Sequence, residues 1–329
     1  MMKKSLIMFF IIMLLTVGLL AGCGGEEGTI DKPEELDSQE ETQVEEPKYP
    51  LVITDGLGNQ VTINSKPEKF ISIAPSQTEI LYALGLGDKL VAVSDYCDYP
   101  AEAQDMEKVG SSWTTNSERI IELNPDIVFV YGEGQPEAIQ QLEAAGITIV
   151  KYMPETIEEI LETIAVIGEI ADEEERAQKL IEEMENKRDE IIAKVKDKPK
   201  KKVFYQVWDE PLMTAGPGSF IDELIVLAGG ENIASDAEGA YPQFSVEVLV
   251  ERNPEIYIAP AHTSEKSLLT EEEELQLKNN IKARPGYSNI AAIKNDKIEL
   301  LEPNVVSRPG ARIIEALELI AKAIHPDAF

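Results

Sequence analysis

Cysteine and histidine are almost missing from this chain. Of 329 residues only Cys23 and Cys97 are Cys, and only His262 and His325 are His. Cys23 belongs to an N-terminal targeting segment, so Cys97 has no partner for an internal disulfide, and a cysteine metal cluster is excluded with it. Zinc and manganese sites draw on several imidazoles, which two His residues do not supply. Neither His stands in a catalytic context, so Cys97 reads as a small, partly buried thiol rather than a nucleophile. The sequence has no Gly-x-Ser-x-Gly elbow, no His-Glu-x-x-His and no P-loop. Gly216-Pro217-Gly218-Ser219 reads as a tight strand-to-helix connection, not a phosphate cradle. A surface hydrolase therefore has no visible machinery. Positive charge is also scarce: 30 Lys and Arg face 61 Asp and Glu, for a net charge of −31. Such a surface repels phosphate backbones and discourages adsorption to anionic lipid. Nucleic acid is excluded as a partner.

The N-terminus is read as targeting sequence. Lys3 and Lys4 precede an apolar run from Ser5 to Leu20, too short for a comfortable membrane span of roughly 20 residues. It ends in Leu20-Ala21-Gly22-Cys23, which resembles a bacterial lipobox. Residues 1–22 are thus expected to be a lipoprotein signal peptide and Cys23 the lipidated residue, anchoring the protein to the outer side of the cell membrane. Residues 23–48 carry Glu, Asp, Gly and Pro with almost no large apolar side chain. They are expected to be an acidic, disordered tether.

Folded sequence begins near Tyr49. Leu51 to Ile53 and Gln60 to Ile63 flank the turn-rich Asp55-Gly56-Leu57-Gly58-Asn59 and predict a hairpin. Apolar runs (Phe70 to Ala74, Lys89 to Ser94, Ile127 to Tyr131, Thr148 to Tyr152) then alternate with helical patterns (Thr78 to Leu84, Ser117 to Leu123, Pro136 to Ala145). This alternation predicts a parallel sheet covered by helices. Capping boxes are read at Thr156/Glu159 and Asp172/Glu175. The second opens a helix of about 24 residues, roughly 36 Å long, ending before Lys198-Pro199. The theme then returns, with strands at Lys202 to Val207, Glu255 to Ala259 and Lys297 to Leu301. Helices are predicted at Phe220 to Ala228, Val246 to Arg252 and Ala311 to Ile324, with a surface helix at Glu271 to Glu274. The fold class is α/β: two three-layer lobes with central, mainly parallel sheets, residues 49–170 and 199–329, bridged by a single long helix over 171–198.

The halves repeat one another. Glu118, Glu122, Asn124, Pro125, Asp126 and Ile127 recur as Glu247, Glu251, Asn253, Pro254, Glu255 and Ile256, each displaced by 129 residues. A second echo places Glu79-Ile80-Leu81 ahead of Gly85 and Glu223-Leu224-Ile225 ahead of Gly229. Two similar lobes imply a cleft between them, where ligands prefer to sit. Aromatic residues make up only 6% of the chain, yet they gather in the loops expected at strand carboxyl ends. Tyr96 and Tyr99 follow one strand, Trp208 follows another, and Trp113 and Tyr241 precede the two Glu helices. A cleft lined this way suits a large, partly apolar ligand.

These residues carry a resemblance. Pro67-Glu68-Lys69, Ala74-Pro75-Ser76, Thr78-Glu79-Ile80-Leu81, Tyr96-x-Asp98-Tyr99-Pro100, Ser117-Glu118-Arg119-Ile120, Gly229-Gly230-Glu231-Asn232 and Arg308-Pro309-Gly310-x-Arg312-Ile313 form an ordered set over residues 50 to 325. As a set they resemble the solute-binding lipoproteins of ABC importers for cobalamin, ferric siderophores and haem, the cobalamin binders most of all. The resemblance implies two α/β lobes bridged by a long helix and no enzymatic activity. It implies a monomer, with no cofactor beyond the transported ligand, that passes this ligand to a permease dimer with its ATPase. Glu118 and Glu247 match carboxylates that dock into the two permease subunits. Tyr96, Trp113 and Tyr241 match aromatic positions that contact the corrin. Trp208 lies in the corresponding loop, and Tyr99 joins the set as a conceivable axial ligand, with Tyr96 and His262, for haem. Asn304 stands where an acidic residue can occur. Arg308 can meet an anionic iron chelate or simply cap its helix.

Overall fold

The computed structural model describes residues 48–262 and 269–329. The expected signal segment, Cys23 and all but the last residue of the expected tether lie outside them. The first lobe opens with the antiparallel hairpin of β1 (Leu51–Thr54) and β2 (Gln60–Ile63). The Asp55 carboxylate fastens its turn, accepting from the backbone N–H of Leu57 and Asn59. The chain continues through β3 (Phe70–Ser72), α1 (Pro75–Ala83), β4 (Leu90–Val93), α2 (Ser117–Leu123), β5 (Ile127–Tyr131), α3 (Pro136–Ala144), β6 (Thr148–Tyr152) and α4 (Ile157–Ala171). Next come α5 (Glu174–Val195), β7 (Lys201–Trp208), β8 (Met213–Thr214), α6 (Phe220–Leu227), β9 (Gly230–Asn232) and α7 (Val246–Arg252). The chain closes with β10 (Ile256–Pro260), α8 (Glu271–Lys282), α9 (Ala291–Lys294), β11 (Ile298–Leu301), α10 (Pro303–Val306) and α11 (Ile313–Ile324).

The two sheets share one topology. In the first lobe the parallel strands lie in the order β4-β3-β5-β6. In the second, the parallel set is β9-β7-β10-β11, with β8 added antiparallel beside the end of β7. Taking strands in chain order, both read second, first, third, fourth. The strands are apolar runs because both faces are covered. Ile127 and Phe129 face the cluster holding α1 and α4, while Val128 and Val130 face α2 and α3. In the second lobe Ile256 and Ile258 face α6 and α11, while Tyr257 and Ala259 face α7 and α8. The inner clusters of the two lobes are a single cluster, running from Ile80 and Leu84 through Ile164, Met184 and Ile191 to Leu224 and Leu317. Each such fully buried aliphatic side chain contributes about 1.5–3 kcal/mol. The lobes are therefore welded along an apolar seam and not merely strung on a helix.

That helix is α5, 22 residues or about 33 Å long. Its buried stripe is narrow, Ala177, Met184, Ile191 and Val195, and packs on α4 and α11. Its start differs from expectation. No capping box forms at Asp172 and Glu175: Asp172 is the left-handed C-cap of α4 (φ 61°), and Glu173 is the N-cap of α5 with no side-chain cap. The Asp172 carboxylate instead pairs with Lys48 and Lys66, and the Tyr49 hydroxyl donates to the Ile170 carbonyl at 2.9 Å. At Thr156 half of the expected box is present. Its hydroxyl accepts from Glu159 N, but the Glu159 carboxylate accepts from Glu155 N. Strands β8 and β9 were not foreseen, and β7 runs through Trp208 rather than ending before it.

Candidate functional site

In doubly wound sheets the chain order reverses at one point, leaving a crevice beyond the strand ends. Here that point lies between β3 and β5 in one lobe and between β7 and β10 in the other. Residues at or next to the carboxyl ends of these four strands, Ile73, Tyr131, Val207 and Pro260, all line one cavity of about 530 Å³. The cavity falls in the size range of small-molecule sites. Its wall also holds Tyr96, Trp113, Tyr241, Asn304 and Arg308 from the predicted set, with His262 and the serines Ser76, Ser94, Ser111, Ser112 and Ser307. Tyr131 was missed, although it ends a strand as the other loop aromatics nearly do. Burial pushes its hydroxyl up to about 12.

The rim aromatics are presented to solvent. Trp113 is 77% exposed and Tyr96 61%. Trp113 is held there by a turn, with Thr114 N donating to Ser111 O and the Ser111 and Thr114 hydroxyls 3.0 Å apart. Gly110 makes the turn possible. Its φ is +88°, and a Cβ there would lie 1.9 Å from the Thr114 carbonyl oxygen. Tyr241 is half-buried, and its hydroxyl crosses to the first lobe to donate to Glu155 Oε2 at 3.2 Å. Burial raises the Glu155 pKa, against the pull of that hydrogen bond.

Two predicted residues lie elsewhere. Trp208 does not line the cavity. Its ring tilts against His262 at 6.3 Å, and its Nε1 donates to the Glu210 carbonyl. Val207 lines the cavity, and successive side chains of strand β7 point to opposite faces. Tyr99 lines a separate hollow with Tyr82, Glu102 and Glu315, under the Arg312 guanidinium at 4.0 Å. Cys97 is buried beside Thr78 Oγ1 at 3.1 Å, and burial raises its thiol pKa, as befits packing rather than chemistry. His325 is buried at the end of α11, 3.2 Å from the Gly229 carbonyl.

An ion cluster that spacing alone did not reveal closes the cavity between the lobes. Glu79, whose side chain is 1% exposed, accepts from Arg312 Nε at 2.8 Å, from Arg312 Nη2 at 2.7 Å and from Arg308 Nη1 at 3.0 Å. Arg308 Nη1 also donates to Asp98 Oδ1 at 2.7 Å, and Arg308 Nη2 to the Tyr96 carbonyl and Asn304 Oδ1. Asn304 Nδ2 donates to Asp98 Oδ2 at 2.7 Å. Gly310 lets the two lobes meet here, since a Cβ would come within 3.0 Å of the Ser76 carbonyl. The other member of the echo does the converse. Glu223 of the second lobe accepts from Ile157 N, the first residue of α4, at 2.7 Å. Each glutamate thus reaches into the opposite lobe.

The duplicated carboxylates occupy matching places. Glu118 and Glu247 are exposed second residues of α2 and α7. Asn116 and Ser245 cap the helix starts, and Asn124 and Asn253 end them in left-handed conformations with φ 47° and 48°. Among the described residues neither glutamate has an ion pair or side-chain hydrogen bond. Their neighbours differ. Arg119 beside Glu118 donates to Glu107 and Glu122, both at 2.8 Å, whereas Val248 holds the corresponding position in α7.

Comparison with known proteins places this geometry. Residues 71–305 match the model of the family described as periplasmic binding protein. An uncharacterized ABC transporter substrate-binding lipoprotein, YvrC of Bacillus subtilis, is 33% identical over 325 residues, 96% of each chain. A vitamin B12-binding protein of Vibrio cholerae is 31% identical over 254 residues, covering 77% of this chain and 87% of the relative. Among solved structures, a possible iron-binding (periplasmic solute-binding) protein from Staphylococcus epidermidis is 31% identical with TM-score 0.70. That match covers 79% of this chain and all of the other.

Proposed function

The chain belongs to the periplasmic binding protein family, and we propose that it captures cobalamin or a related corrinoid in the interlobe cavity and delivers it to an ABC permease. In this reading Cys23 carries the lipid that holds the protein outside the cell membrane, and residues 23–48 are the tether. Glu118 and Glu247 meet cationic pockets on the two halves of the permease, whose ATPase drives uptake. The protein acts as a monomer and performs no chemistry on its cargo.

The observation that carries the ligand class is the state of Arg308. Both of its η nitrogens are committed, Nη1 to Glu79 and Asp98, and Nη2 to the Tyr96 carbonyl and Asn304. With Arg312, the cluster sets two cations against the carboxylates of Glu79, Asp98 and Glu302. The cavity therefore offers aromatic faces and serine hydroxyls rather than a free guanidinium for an anionic chelate. A corrin ring can lie against Trp113, Tyr96 and Tyr241, with its amide side chains meeting the hydroxyls. The 530 Å³ of the cavity would take part of so large a ligand, and the exposed rim aromatics would flank the remainder. One observation favours haem as a second reading: His262 and Tyr96 both line the cavity, and either side-chain type can serve as an axial ligand.

Tryptophan fluorescence of the chain from Gly24 tests this directly, because Trp113 and Trp208 are its only indoles. Cyanocobalamin, haem and ferric siderophores are titrated side by side with correction for inner-filter absorption. Saturable quenching by cyanocobalamin, lost in Trp113→Ala, is expected. Quenching by an iron chelate alone would replace the ligand, and a perturbed haem absorption band lost in His262→Ala would favour the second reading.

A further inference from the structure

We propose that Asp98 sets the charge selectivity of the cavity: by engaging Arg308 from the opposite lobe, it excludes anionic solutes. This rests on the interlobe cavity being the solute site, but not on which solute fills it. Arg308 lines the cavity and comes from the second lobe, just after α10. An arginine in a cavity wall is ordinarily a fork for carboxylates and iron chelates. Here Glu79 serves Arg312 in bidentate fashion and reaches Arg308 with one oxygen at 3.0 Å, while Glu302 stands 4.0 Å from Arg312. Asp98 makes the shorter contact to Arg308, at 2.7 Å from Nη1, and is the one carboxylate of the cluster that pairs with Arg308 alone.

Asp98 is well placed for this. Its loop is pinned by Lys108 Nζ, which donates to the Cys97 and Ala103 carbonyls, and by Gln104 Nε2, which donates to the Asp98 carbonyl. Its second oxygen accepts from Asn304, whose own carbonyl accepts from Arg308. Asp98, Arg308 and Asn304 thus close a ring of hydrogen bonds across the interlobe gap. Asp98 is not itself part of the cavity wall, so its charge acts on the solute through Arg308. It is a positioning residue that decides whether the guanidinium is free.

Asp98→Asn keeps the size of the side chain and removes the charge, leaving Arg308 beside the cavity with only the Glu79 carboxylate, which it shares with Arg312. The mature chain and this variant are titrated with ferric citrate, an anionic chelate, and with cyanocobalamin. The ratio of ferric citrate affinity to cyanocobalamin affinity is expected to rise at least about tenfold in Asp98→Asn. It should stay near the parent value in Asp98→Glu and fall back in Asp98→Asn/Arg308→Gln. Asp98→Ala serves the same purpose if the Asn variant melts below the assay temperature. An unchanged ratio in folded, charge-removed protein overturns the proposal, as does saturable ferric citrate binding by the parent chain at the variant's affinity. Cyanocobalamin binding without the shift would leave the corrinoid reading standing and remove this one. A tenfold rise in ferric citrate affinity itself, without cyanocobalamin binding by the parent, would do the reverse.

Discussion

The two lobes carry the same four-stranded parallel order and the same capped helix ahead of the third strand, yet they differ where a partner would touch them. In α2 the exposed Glu118 stands beside Arg119, which also ties down Glu122. In α7 Val248 replaces that arginine, and Glu247 and Glu251 face outward one turn apart with no ion pair among the described residues. The basic residue of α7, Arg252, sits at its far end, paired with Asp236. The backbone preserved the frame, while the side chains made the exposed face of α2 partly self-neutralised and left Glu247 and Glu251 on α7 unopposed among the described residues. Duplication thus yields equal geometry without equal electrostatics.

The largest expected effect breaks both faces together. Glu118→Lys with Glu247→Lys should lower cellular uptake of the ligand at least about 30-fold, since two charge contacts worth about 2 kcal/mol or more become repulsive. The purified protein should keep its ligand affinity. Unaltered uptake with binding intact would remove the docking role. The single change at Glu247 should cost more than that at Glu118, and Arg119→Val should narrow the gap by giving α2 the residue of α7.

The two interlobe glutamates allow a second contrast, read from urea midpoints. Glu79→Gln disrupts a buried cluster with two guanidiniums and should destabilise by about 3 kcal/mol. Glu223→Gln, which weakens one bond to a backbone N–H, should cost about 1 kcal/mol. Equal losses would mean that the cluster contributes no more than a single hydrogen bond. The tryptophans give a third contrast. Trp113→Ala should weaken the ligand about tenfold and Trp208→Ala less than about twofold, because only Trp113 lines the cavity. Calorimetric titration separates them.

The smallest effect concerns pH. Burial raises the pKa of Glu155 in the folded protein, so the folded state holds that proton more tightly than the unfolded chain. Its contribution to stability is full below the ordinary carboxylate pKa and is lost as pH rises through the raised value. Parent minus Glu155→Gln stability should therefore decline as pH rises above the ordinary carboxylate range. A flat difference would mean that Glu155 is not held above its ordinary pKa.

Much of this architecture was legible because it is local. The Glu-to-Asn-Pro helices declare themselves through caps and a turn within ten residues, and strands buried on both faces read as unbroken apolar runs. The failures were non-local or conformational. Asp172 followed by Glu175 spells a capping box, but Asp172 adopts a left-handed conformation to end α4, which only packing between α4 and α5 decides. β8 and β9 span two and three residues, too few for any period to appear. Asp98 and Arg308 lie 210 positions apart, so no window holds both. For the same reason Arg308 was read as a free cation or a cap rather than a tie between lobes.

The first described residues meet the body at one corner. Lys48 pairs with Asp172 and Glu174, Lys66 pairs with Asp172, and the Tyr49 hydroxyl grips the Ile170 carbonyl. A pull arriving through the residues ahead of Lys48 would therefore load the bend between α4 and α5, the most strongly helical part of the molecule. Since α4 begins beside the cavity, with Glu155 bonded to Tyr241 and Ile157 N to Glu223, a load on that bend would reach along α4 to the cavity wall.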